Sequence, residues 1–114
     1  MTSTPYCTAS DVRTLTGVTE AMVTDEDVEA LIALTDQQVD DDLGAQSSPV
    51  NTRIKNLSAL LTAIKVYTRP DLRGGFSVGD VTISNQQIEE SLTRWTREVE
   101  RIYGFYEEPA FKVA

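Results

Sequence analysis

Three consecutive carboxylates stand at Asp40, Asp41 and Asp42, and four more fall at 25, 26, 27 and 29 within the stretch TDEDVE. Carboxylates do chemistry as metal ligands or as acid–base pairs, and both uses need side chains that converge on one point. Consecutive residues of a helix point in different directions, so Asp40 to Asp42 cannot share one ion. The spaced oxygen ligands of a calcium loop are missing too. These three read as a solvated helix end, at a small cost against the helix dipole. Capping and dipole chemistry account for the four acids of TDEDVE. Cys7 is the one cysteine, and the chain has no histidine. Without a base to take its proton the thiol is a poor nucleophile, and alone it forms no internal disulfide. It reads as a small buried residue beside the first helix. Gly74 and Gly75 lack the Lys-Ser/Thr sequel of a phosphate loop, so they read as a hinge. No catalytic residue, metal ligand or cofactor is expected, and the chain is not expected to be an enzyme.

What remains is GGFSVGDVTIS, residues 74 to 84. Phe76, Val78, Val81 and Ile83 alternate either side of Gly79-Asp80, a pair suited to a tight two-residue turn. Two strands this short are marginal alone in water. Packing one apolar face onto helices would help, yet both edges would stay unpaired. Little in the sequence blunts those edges, and an open edge suits strand addition by a partner. Repeated head to tail among identical copies, such a contact closes a ring. Phe76, Val78, Val81 and Ile83 are therefore the expected subunit interface.

The elements that would carry the hairpin are helical. Thr8 caps a first helix, with Asp11 at the third position and Gly17 at its end. Thr24 starts a second, whose apolar stripe Val28, Leu31, Ile32, Thr35, Val39 and Leu43 runs to Gly44. Ser48-Pro49 is expected to open a third, which Pro70 stops. Its wide face of Ile54, Leu57, Leu60, Leu61, Ile64 and Tyr67 suggests a central helix touched from several sides. Ser84 and Gln87 form a capping box for a fourth helix, with a stripe of Ile88, Leu92, Trp95, Val99, Ile102 and Tyr106. Trp95 reads as core. On that helix Glu90–Arg94 is a favourable pair and Arg97–Arg101 a repulsive one, offset by Glu98 and Glu100. Arg94, Arg97 and Arg101 are candidates for an ion-pair seam between subunits. Residues 107–114 contain Pro109 and are expected to form an extended tail. The expected fold is mainly α: a four-helix domain over 1–106, a short β-hairpin between helices 3 and 4, and an extended C-terminal tail over 107–114.

The chain has 114 residues, one domain's worth, 40% of them hydrophobic. Its 18 acidic against 10 basic residues leave a net charge of −8. A general grip on DNA needs the opposite sign, so DNA would be repelled or would slide past. No apolar run approaches the roughly 18 residues of a membrane span, and MTSTPYCTAS does not read as a secretory signal. A soluble protein, working inside a cell or a particle built there, is expected. Lysine occurs only at 55, 65 and 112 while Asp and Thr abound, a balance that suits a high-salt host.

The opening YCTASDVRTLTGV, the acid-started helix TDEDVEALIALTDQQVDDDLG, and a Gly-rich hairpin before a long last helix together resemble the head–tail connector (adaptor) proteins of tailed double-stranded-DNA viruses. The resemblance covers Tyr6 to about Tyr106 and lies in element order, length and texture. It implies a ring of about twelve copies under the portal of a filled capsid. Such a ring extends the DNA channel, lets DNA pass unbound, and offers a platform to a neck or tail-completion protein. It implies a portal-binding tail, here residues 107–114 with Pro109, Phe111 and Val113. It also implies a location in the virion neck after assembly in the host cytoplasm. The acidic, lysine-poor composition adds the expectation of a salt-loving archaeal host. The competing reading is a small helical regulator that binds a partner protein as a dimer, in the manner of an antitoxin; a basic recognition helix, expected if it touched DNA, is not visible.

Overall fold

The computed structural model of this protein describes residues 5–46, 50–69, 72, 74–78 and 81–113, with 78, 81 and 107–113 as backbone alone. In chain order the elements are α1 (Ala9–Thr16), α2 (Asp25–Leu43), α3 (Thr52–Tyr67), β1 (Gly75–Val78), β2 (Val81–Ser84) and α4 (Asn85–Val113). The fold is mainly α, with the hairpin between the third and fourth helices.

Each helix starts where a side chain can satisfy its first free amides. At α1 the Thr8 hydroxyl accepts from the Asp11 amide while the Asp11 carboxylate accepts from the Thr8 amide, a reciprocal box. Thr24 caps α2 by accepting from Asp27. Ser84 and Gln87 exchange the same two bonds at α4. Gly17 ends α1 with φ of 76°, in the left-handed region. The third helix departs from expectation. Its cap is Asn51, whose side-chain oxygen accepts from the Ile54 amide at 2.9 Å. Asn is among the best N-cap residues, so it takes the role expected of the Ser48-Pro49 pair, which lies outside the described residues together with Pro70.

α3 is the centre. It packs against α1, α2 and α4, and it contributes buried residues around much of its surface, from Ile54 and Leu57 to Ala63 and Val66. Two polar pairs satisfy hydroxyls inside this core. Thr62 bonds Thr35 of α2 at 3.0 Å, and the Tyr67 hydroxyl donates to the carbonyl of Thr16 at 2.5 Å. α4 runs antiparallel to α3: the ring of Tyr67, at the end of α3, lies 4.8 Å from that of Trp95 at a tilt of 47°, while Arg53, at its start, lies over Phe105. The buried stripe of α4 comprises Ile88, Leu92, Trp95, Val99 and Ile102.

The end of the chain departs from expectation as well. An extended segment was expected from 107 on, but the backbone of α4 stays helical to Val113, through Pro109. Extending an existing helix adds a bond for each residue except Pro109, which has no amide proton, without a new nucleus, and Glu107, Glu108, Ala110 and Lys112 favour helix. The side chains of Phe111 and Val113 lie outside the described residues.

Candidate functional site

The hairpin is a two-stranded antiparallel sheet in the register Gly75–Ser84, Phe76–Ile83, Ser77–Thr82 and Val78–Val81. A two-residue connection is thus as the sequence suggests, although Gly79 and Asp80 lie outside the described residues. Side chains alternate between the faces of the ribbon. Phe76 and Ile83 are half-buried against the helical core, and the Phe76 ring meets Tyr67 edge-on, with centroids 5.7 Å apart. Ser77 and Thr82 stand on the outer face, exposed, with hydroxyls 3.3 Å apart. Val78 and Val81 pair beside the turn. Two of the four expected interface residues, Phe76 and Ile83, therefore serve first to fasten the ribbon to its own subunit. Among the described residues neither strand has a second neighbour, so the outward amides and carbonyls of both strands meet no strand of this chain.

A glycine fixes where the ribbon leaves the helices. Gly75 has φ of +108°, and a Cβ there would stand 2.8 Å from the Ile83 carbonyl oxygen and 3.3 Å from the Asn85 nitrogen. Both are backbone atoms, which cannot step aside as a side chain can. Only glycine lets β1 approach the start of α4 this closely.

The three arginines of α4 are all exposed. Arg101 pairs with Glu98 one turn earlier, which lowers the Glu98 carboxyl below its usual range. Arg97 lines an open groove between α3 and α4 with Ile64, Thr68 and Thr96. Arg94 lies near enough to Tyr67 to act electrostatically on its phenol, which burial raises overall.

A polar cluster that the sequence did not announce joins the N-terminal segment to α2 and α3. Asp36, half-buried, accepts from the Tyr6 amide at 2.8 Å and from the Ser58 hydroxyl at 2.7 Å. The Tyr6 hydroxyl donates to Asp40 and accepts from the Gln46 amide. Tyr103 of α4 donates to Asp42 at 2.8 Å. Asp40 and Asp42 are thus acceptors for tyrosines and not merely a solvated end, because the N-terminal segment and α4 reach the end of α2. Cys7 sits in the same cluster, 2% exposed, with Ser58 at 3.2 Å; burial pushes its thiol up to about 11. Such a thiol stays protonated and unreactive at neutral pH. The signal available in sequence was only the spacing Thr35–Asp36–Val39–Asp40, polar residues placed next to apolar ones on the stripe.

Among the described residues no group of three or more Cys, Asp or Glu is placed to hold a metal ion, and no helix is long and apolar enough to cross a membrane. No protein-family model, no curated protein and no solved structure matches the chain.

Proposed function

We propose that this chain is a structural subunit: a head–tail connector that forms a ring beneath the portal of a tailed virus, extends its DNA channel and presents a platform to the next neck protein. One observation supports this reading above others, the ribbon whose strands have no further strand neighbour among the described residues. Its inner face is held by Phe76 and Ile83, so the edges are presented rigidly, and a neighbour can add a strand without first ordering a loop. A heterologous contact of that kind, repeated, closes into a ring. The helical body around α3 supplies the stiffness. The charge of −8 suits a passage through which DNA must slide without sticking. The last turns of α4 carry the segment that would reach the portal, and no step of this role is catalytic.

The test is light scattering after size exclusion, with negative-stain imaging, on the chain alone and mounted on portal particles. Val78→Asp with Val81→Asp places two like charges at paired positions of the ribbon. The expected result is loss of ring closure with a melting temperature close to the original. An unchanged oligomer in this variant would overturn the role given to the hairpin. Discrete dimers that never form rings would favour a partner-binding regulator instead.

A further inference from the structure

The charges of α2 and α3 are of opposite sign, whereas α4 mixes six glutamates with three arginines and a lysine. Of the 19 residues of α2, Asp25 to Asp27, Glu29, Asp36 and Asp40 to Asp42 are acidic, and none is Lys or Arg. α3 carries Arg53, Lys55 and Lys65 and no acid at all. α2 and α4 each pack on α3, and their own outer faces are left exposed.

Two large hydrophobic side chains are exposed among the described residues, Leu34 at 58% and Phe105 at 52%. They fall on faces of opposite sign. Leu34 is on the outer stripe of α2, where Asp27, Ala30, Leu34, Gln37 and Asp41 recur at spacings of three and four and are all exposed. That stripe is apolar in the middle and acidic at both ends, with Asp27 also 3.8 Å from the Arg69 guanidinium. Phe105 lies on the outer stripe of α4, one turn after Arg101 and beneath the Arg53 guanidinium, which stands 3.7 Å from the ring centroid. Arg94 and Arg97 extend the same side toward the start of the helix, and both are exposed. Among the described residues the acid within this patch is Glu98, which pairs with Arg101.

We infer that a second contact joins neighbouring copies, in which the Asp27–Leu34–Asp41 stripe of α2 lies on the Arg53–Arg101–Phe105 patch of the next copy. The occupant is a second copy of this chain because one molecule carries both halves: an apolar knob between acids on one face and an aromatic ring between arginines on another. The patches are different, so the contact runs head to tail and does not pair a face with itself. Opposite potentials fix the register and disfavour the reverse docking, and the two apolar residues leave water at its centre. The inference builds on the proposed ring, to which it adds the helix-on-helix contact beside the strand-on-strand one.

A charge swap tests it. One variant carries Asp27→Lys and Asp41→Lys, the other Arg53→Glu and Arg101→Glu; all four positions are exposed, and circular dichroism checks that both fold. Each variant alone then presents like charges to itself and is expected to associate at least about tenfold more weakly than the original chain in light scattering at low salt. Mixed in equal amounts, the two complement each other at both faces, and assembly is expected to return. Assembly of either variant alone at the original strength, or a mixture no better than its components, would overturn the inference. A chain that stays monomeric at every concentration and on the portal would overturn it together with the ring. The two can also fail apart. Rings that survive the swap but not the Val78→Asp, Val81→Asp change leave the ribbon contact standing alone; the reverse pattern leaves the helix contact alone.

Discussion

Asp36 is held by two donors on the edge of the core, the Tyr6 amide and the Ser58 hydroxyl. Burial nonetheless outweighs them and raises its pKa above the ordinary carboxylate value. A group whose pKa is raised by folding adds stability below its unfolded pKa, about 3.9 for aspartate, and loses that contribution as pH rises through the folded value. Asp36→Asn does not titrate there and keeps an oxygen for the Tyr6 amide. The melting temperature of this variant, relative to the original chain, is therefore expected to rise as pH goes from about 4 to about 7. A difference that is flat or falls with pH would contradict this. Cys7 gives a second expectation, since its buried thiol should resist alkylation in the folded protein and react once denaturant is added; rapid labelling of the native chain would count against the described packing. The sequence made Cys7 legible as inert, because neither a base nor a second cysteine accompanies it. Asp36 was illegible, because its burial depends on Tyr6 arriving from thirty residues away.

Helices were the most legible elements. Their stripes at spacings of three and four mark the faces that α3 covers, and the boxes Thr8–Asp11 and Ser84–Gln87 mark where α1 and α4 begin. Boundaries that depend on choosing between neighbouring caps were harder. Asn51 and Ser48 both suit an N-cap, and only the bond from the Ile54 amide to Asn51 decides. Asn51→Ala is accordingly expected to lower stability by about 1 kcal/mol in denaturant titration, and no measurable change would contradict the assigned start of α3. Pro109 misled in the other direction, since a proline is read as a stop while α4 continues through it. The ribbon was legible from alternation and its turn dipeptide, but the glycine that docks it was assigned only to a hinge. Gly75→Ala forces a left-handed backbone on alanine and drives a methyl toward two backbone atoms. It is expected to destabilise by about 1–3 kcal/mol and to loosen the ribbon from α4, seen as faster exchange of the 75–84 amides; unchanged exchange would contradict the close approach.

At the scale of the whole molecule, α3 fixes which surfaces remain for partners. It covers the apolar stripes of its three neighbouring helices and leaves the outer stripes of α2 and α4, and the ribbon edges, facing outward. The acids of α2 could be counted in the sequence. That its outer stripe surrounds an exposed Leu34, and that Phe105 lies under Arg53, could not, because periodicity gives a face and not its neighbour. The assembled state is also where salt acts. A chain of charge −8 repels its copies at low ionic strength, so any ring must draw on local contacts that outweigh this, and salt would relieve the repulsion while weakening the α2–α4 pairing. The claim on which the account turns is that the ribbon is completed by another copy. Hydrogen exchange of the 75–84 backbone, compared between dilute monomer and assembled protein, tests it most directly. The outward amides of β1 and β2 are predicted to exchange quickly in the monomer and to become protected on assembly. Equal exchange in both states, with protection gained elsewhere, would contradict it.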